Sequence, residues 1–315
     1  MCHGSLLFGY GHGRVREAFQ DKIEKAAHMG TPTELESEWA ELIEKLVPCA
    51  EEGLVRAHSS GSEAIQMAIR LARIHTGREK IVLQAGSYHG TADQVIPPQN
   101  GPPFGMRNVR GIPTSVRDAV KTVSLNDLGA LEQALAEGDV GCVLLHCNNL
   151  YEREYVEGIT ELTETYGAVF VMDEVVSGFR YAAGGAQEYY GVTPDLAVLG
   201  KIIGGSAPVG AVCGDEEILR YYEIRDDEHW NDYVRVKLGG TWNAQPLSIV
   251  GGIATMELIH EERETIYPRL YQIGTRLVER FDELADDLGV TAHAYGLPPD
   301  EPTQIKIEFF DRPVP

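Results

Sequence analysis

The sequence predicts an α/β protein, a mainly parallel sheet flanked by helices and followed by a partial second domain of mixed α+β structure. Short apolar runs bounded by turn residues alternate with amphipathic stretches over most of the chain. Length and composition agree, because 315 residues with 43% hydrophobic content and 34 glycines suffice for one large core and a smaller lobe. Two of the apolar runs also end in reactive groups. Val169-Phe170-Val171-Met172 leads into Asp173, and Asp195-Leu196-Ala197-Val198-Leu199-Gly200 leads into Lys201.

The elements follow in chain order. From His28 to Leu46, Leu35, Trp39, Leu42, Ile43 and Leu46 recur at helical spacing behind the capping signal Thr31-Pro32-Thr33-Glu34. A second helix is expected from Ser62 to Ile74, ended by Thr76-Gly77. Strands follow at Ile81–Leu83 and Val140–Leu145, then a helix from Val156 to Tyr166 and the strand ending at Asp173. Between Ile96 and Pro113, paired prolines and glycines predict an irregular surface excursion. A helix begins near Gly251, Arg269 to Leu288 is amphipathic, and Gln304 to Phe310 reads as a last strand. The predicted division is 1–48 as an N-terminal segment, 49–250 as the large domain and 251–315 as the start of a small C-terminal domain.

Charge narrows the partners. The net charge of −21, with no basic cluster, argues against nucleic acid and anionic lipid, both of which need concentrated Lys and Arg. No run is apolar enough to span a bilayer and no secretion signal opens the chain, so the cytoplasm is the expected compartment. Five cysteines without a CxxC pair read as reduced core thiols. His146 and Cys147 are adjacent on a strand and would face opposite sides, which disfavours a shared metal ion. No metal site is expected.

Several segments carry chemistry. Ser59-Ser60-Gly61-Ser62-Glu63-Ala64 is a small-residue turn opening a helix, where free amides and the positive dipole end can hold a phosphate. Read alone, it is more often a plain N-cap. Tyr88, in Gly86-Ser87-Tyr88-His89-Gly90, emerges at the carboxyl edge of the sheet and can stack on a flat ligand or simply pack. Asp173 can keep a pyridine nitrogen protonated, with Val175 pressing on the ring face; for an isolated Asp-Glu pair, capping of the next turn would be the better reading. Lys201, one of only 8 lysines, can form an imine with an aldehyde cofactor and then move a proton. A nucleotide loop does not fit, since Gly200-Lys201 is followed by Ile202 and preceded five positions earlier by Asp195.

Together these motifs resemble the class III pyridoxal phosphate aminotransferases, most closely the glutamate-1-semialdehyde aminomutase branch. They run in family order: Pro32-Thr33-Glu34-Leu35-Glu36, Ser60-Gly61-Ser62-Glu63-Ala64, Tyr88-His89-Gly90, Asp173-Glu174-Val175-Val176-Ser177-Gly178-Phe179-Arg180, Gly200-Lys201-Ile202-Ile203-Gly204-Gly205 and Gly240-Thr241-Trp242-Asn243-Ala244-Gln245-Pro246-Leu247. The resemblance implies fold type I of the pyridoxal phosphate enzymes and pyridoxal 5'-phosphate as cofactor. It implies that Ser60, Gly61 and Ser62 hold the phosphate, Tyr88 and Val175 flank the ring, Asp173 meets the ring nitrogen and Lys201 is the imine lysine. Thr241 is implied to reach the phosphate of a neighbouring subunit, which makes the expected assembly a homodimer.

The chain departs from that pattern at Ser59, where the family usually has Asn, and at His146-Cys147-Asn148-Asn149, where it has a Glu-Pro pair and a small loop. Family members also extend before Met1 and beyond Pro315, so both outer domains are expected to be incomplete, with apolar surface on the strand Gln304 to Phe310. The reading that results is amino-group transfer on a small amino acid or amino aldehyde, as in the aminomutase that supplies 5-aminolevulinate. An intermolecular transaminase is the alternative, and an inactive cofactor-binding paralogue is a third.

Overall fold

The computed structural model describes residues 2–25, 30–96 and 111–310. Nine strands and nine α-helices occur among them. The strands are β1 (Leu54–His58), β2 (Lys80–Gln84), β3 (Val120–Val123), β4 (Val140–His146), β5 (Val169–Asp173), β6 (Leu196–Gly200), β7 (Gly210–Gly214), β8 (Ala292–Leu297) and β9 (Gln304–Phe309). The helices are α1 (Gly13–Lys25), α2 (Glu34–Leu46), α3 (Gly61–Thr76), α4 (Thr114–Asp118), α5 (Leu128–Ala136), α6 (Arg153–Tyr166), α7 (Gly185–Tyr190), α8 (Glu216–Leu219) and α9 (Pro246–Asp287). β1 to β7 form one sheet in the order β1-β7-β6-β5-β4-β2-β3, and β8 pairs with β9 in a separate antiparallel ribbon. The large sheet is parallel from β6 through β3, and β7 alone runs against its neighbours β6 and β1.

Strand alternation divides the core. Ile81, Leu83, Cys142, Leu144, Val169, Val171, Leu196, Val198 and Val212 face α3 on one side of the sheet. The residues between them face the other way, Val82, Val143, Leu145, Phe170 and Met172 against α5 and α6, and Ala197, Leu199, Ala211 and Cys213 against α2 and α9. Both faces are covered, which is why the central strands read as continuous apolar runs.

Helix starts follow local chemistry. Ser60 Oγ accepts from the Glu63 amide at 3.3 Å to cap α3, and Gly77 ends that helix in the left-handed region at φ 68. α2 begins at Glu34, with Glu36 Oε1 accepting the Thr33 amide. The start expected at His28 and most of the excursion expected from Ile96 to Pro113 lie outside the described residues. The two stretches expected near Gly251 and Arg269 are one helix of 42 residues, about 63 Å long, with Pro268 inside it. Gly251 and Gly252 do not break it, because their bare Cα atoms are needed for contact. A Cβ on Gly252 would lie 1.8 Å from Ile203 O.

The thiols of Cys49, Cys142, Cys147 and Cys213 are buried and free of disulfides, and burial pushes Cys142 up to about 12. In the ribbon, Phe309 is 72% exposed. Among the described residues no helix is long and apolar enough to cross a membrane.

Trp39 ties α2 to the turn after Lys201. Its ring is 1% exposed and its Nε1 donates to Ile203 O at 2.8 Å. We predict that Trp39→Phe, which orphans that buried carbonyl, lowers stability by about 1–3 kcal/mol in urea titration of the cofactor-free protein. An unchanged midpoint would refute this role.

Candidate active site

Four parallel strands deliver their carboxyl ends to one edge of the sheet, and the candidate residues sit there. Tyr88 and His89 follow β2, His146 ends β4, Asp173 ends β5 and Lys201 follows β6. His146 is opposite Asp173 in register, and Asp173 is opposite Val198, three residues before Lys201. Ligands of open α/β sheets bind at this edge. A cleft of about 380 Å3 lies over it, lined by Ser60, Gly61, Ser62, Tyr88, His89, His146, Asp173, Val175 and Lys201 among others.

The cleft therefore gathers seven of the eight residues singled out from the sequence. Thr241 is not among them; it lines a separate hollow with Arg56, Gly240 and Asn243. Ser60 lines the cleft, yet its hydroxyl oxygen already caps α3. Tyr88 is 66% exposed at the cleft wall.

Asp173 is buried to 3% exposure. Burial alone would push its carboxyl up. The hydrogen bond and electrostatic attraction from His89, together with the Val175 amide, outweigh burial, and the carboxyl is held below its ordinary value. His89 Nδ1 is 2.8 Å from Asp173 Oδ2, and the Val175 amide donates to Oδ1 at 3.1 Å. An ionised carboxylate only accepts, so Nδ1 carries the proton. Lys201 is drawn the other way: burial lowers its amine, Asp173 raises it and Arg180 lowers it further, with a net fall. Its backbone adopts φ 51, a left-handed conformation unusual for lysine.

The cradle at the start of α3 depends on missing side chains. A Cβ on Gly61 would stand 2.8 Å from Val175 Cγ2, and one on Gly90, at φ +96, would stand 2.4 Å from Ser62 Oγ. Gly61 and Ser62 supply amides that precede the helical ladder, at the positive end of a helix of 16 residues. An anion fits there. A buried carboxylate, an amine of lowered basicity, a valine between them and an amide cradle together suit a phosphorylated pyridine aldehyde.

His89 had no assigned role in the sequence because its partner is 84 residues away. His89 and His146 rings meet edge to face at 5.5 Å. Glu174 is buried behind the site, where its carboxylate accepts from Ala186 N, Gln187 Nε2 and Ser177 Oγ. Ser59, where the family pattern has Asn, donates through Oγ to Asn243 Oδ1 at 2.8 Å and so joins the α3 turn to the loop bearing Thr241. Among the described residues no group of three or more His, Cys, Asp or Glu side chains could hold a metal ion.

Comparison with known proteins gives consistent matches. The class-III aminotransferase family model matches residues 2–97 and 146–293. Glutamate-1-semialdehyde 2,1-aminomutase of Natranaerobius thermophilus is 37% identical over 299 residues, covering 92% of this chain and 67% of that protein. The protein of the same name from Methanocaldococcus jannaschii is 34% identical, covering 94% and 69%. An omega-transaminase structure from Sphaerobacter thermophilus superposes with a TM-score of 0.84 at 31% identity, covering 98% of this chain and 71% of that one. The chain thus spans about two thirds of the length of these relatives.

Burial of histidine predicts an acid-sensitive fold. His146, 8% exposed, is pushed down to about 4 chiefly by burial, and so is the fully buried His58. Between about pH 4 and the unfolded value of 6.5 the folded protein binds fewer protons than the unfolded chain, so stability falls as pH falls. Each histidine should cost roughly 2 kcal/mol between pH 7 and pH 5. His146→Phe should remove its share of that slope in urea titrations of the cofactor-free protein. A slope identical to that of the unaltered protein would exclude the assignment.

Proposed function

The chain belongs to the class III aminotransferases, and from that premise we propose that it shifts an amino group with pyridoxal 5'-phosphate held on Lys201, in the manner of glutamate-1-semialdehyde 2,1-aminomutase. One observation carries the proposal. Lys201, Asp173 and the Gly61–Ser62 amides, distant in sequence, line a single cleft at the carboxyl edge of the sheet. Support for the aminomutase reading comes from the two curated relatives of that name at 37% and 34% identity.

In this reading the Gly61 and Ser62 amides would hold the phosphate and Val175 would support the ring. Tyr88, at the cleft wall, would be the aromatic side chain available to stack on it. Asp173, kept ionised by His89 and Val175, holds a proton on the ring nitrogen. The bound cofactor supplies a protonated ring that withdraws electrons from the substrate carbon. Lys201 Nζ would be the group that holds the cofactor aldehyde. Burial and Arg180 favour the uncharged form of a free Lys201 amine, which would then be able to take a proton from a substrate carbon and return it.

An intermolecular transaminase acting on an amino acid and a keto acid is the second reading. The omega-transaminase at 31% identity and TM-score 0.84 favours it. Thr241, outside the cleft of its own chain, is assigned to the phosphate site of a second subunit, and the assembly proposed is a homodimer.

Borohydride treatment of the cofactor-loaded protein, followed by peptide mass mapping, should place the label on Lys201, and Lys201→Ala should lose it. Label on another lysine would defeat the proposal. Asp173→Asn should still bind cofactor while turnover drops by about 100-fold or more; near-normal turnover would remove Asp173 from its role. Formation of 5-aminolevulinate from glutamate-1-semialdehyde without an added keto acid separates the aminomutase from the transaminase.

A further inference from the structure

Among the described residues Arg180 is a buried cation without an acidic partner. Its side chain is embedded in the protein at 8% exposure, beside the uncharged phenols of Tyr267 and Tyr181. Its Nη2 donates to Gly4 O and to Leu6 O, both at 2.9 Å, while its Nε is buried and unpartnered. Burying a guanidinium for two backbone carbonyls is costly unless those carbonyls must be held. The two acceptors flank Ser5.

Ser5 occupies a particular place. Together with Ser206 it lines both the cleft over Lys201 and a second hollow of about 250 Å3 under α1. That second hollow is largely apolar, with Leu7, Phe8, Val15 and Phe19 on its walls. The backbone around Arg180 is itself fixed from α9, because Tyr267 Oη donates to Phe179 O and Tyr271 Oη to Tyr181 O, each at 2.8 Å. Order therefore runs from the core helix, through Arg180, to the N-terminal segment.

We propose that Arg180 is a positioning residue that latches Gly4–Leu6 as the partition between the catalytic cleft and the apolar hollow, and thereby limits the length of apolar substrate the cleft accepts. This rests on the amino-transfer reading for its substrate consequence only; the latch itself is independent of cofactor. With the latch closed, the substrate side of the cleft ends at Ser5. Release joins the two hollows and opens apolar volume beside Lys201.

The test begins with hydrogen exchange on the cofactor-free protein. Arg180→Met should speed exchange at residues 5–8 by about tenfold or more, with β5 and β6 unchanged. Gly4→Ala reaches the same segment from its own side and leaves the core intact, since Gly4 has φ +80 and a Cβ there would stand 3.3 Å from Val176 Cγ1. It should give the same local signature. Arg180→Lys, unable to fork across two carbonyls, should fall between. In the cofactor-loaded enzyme both Arg180→Met and Gly4→Ala should shift kcat/KM toward arylalkyl amines relative to short amines by about tenfold, mainly through KM. Unchanged exchange at residues 5–8 in Arg180→Met overturns the latch. If that variant unfolds globally, silent exchange in Gly4→Ala overturns it. Faster local exchange with an unaltered amine preference overturns the partition. Borohydride labelling of Lys201 reports separately on the catalytic reading.

Discussion

A carboxylate kept ionised inside an apolar sheet is the constraint on which the site depends. Asp173 is removed from water at the end of β5, where an unpaired charge would cost several kcal/mol. His89 and the Val175 amide compensate it from two directions. The compensation fixes geometry as well as charge, because it pins the loop after β2 to the end of β5 and leads the chain into Val175, which in turn abuts Gly61 and Gly200. The next residue, Glu174, is buried too and takes a separate set of donors from α7 and Ser177. Two neighbouring acids thus serve opposite sides of one strand end, one facing the cleft and one anchoring the structure behind it.

Much of this was legible in the sequence. β2, β4, β5 and β6 are buried on both faces and read as apolar runs, and α3 carries its cap residues at both ends. Lys201 and Asp173 stood out because reactive groups at strand ends of an α/β sheet are positioned for ligands. β7 was hidden, since Gly210-Ala211-Val212-Cys213-Gly214 looks like the end of a glycine-rich turn. A Cβ on Gly210 would meet Ser60 O at 2.3 Å, so the glycine that obscured the strand is what allows it beside the α3 turn. The unity of α9 was hidden likewise by Gly251, Gly252 and Pro268. His89, Arg180 and Ser59 act through partners 84 to 184 positions away, a distance over which no local pattern carries information.

The departures from the family pattern have physical readings within this fold. Ser59 is shorter than Asn and bonds across to Asn243, which keeps the α3 turn tied to the Thr241 loop. His146 sits where burial keeps its ring uncharged at neutral pH. It therefore brings neither the negative charge of a glutamate nor a second positive charge beside Lys201. The electrostatic balance of the cleft then rests on Asp173, Lys201 and the more distant Arg180.

α9 also links two parts of the molecule by packing alone. Its first turns are wedged glycine-to-backbone against the loop that carries Lys201, and its far half supports the β8–β9 ribbon. The helix runs on through Pro268, the position along it that lacks a backbone donor and where a helix of this length bends most easily, so its two halves can each follow the surface they cover. One helix thus packs at one end on the turn that bears the amine and at the other on the outer ribbon.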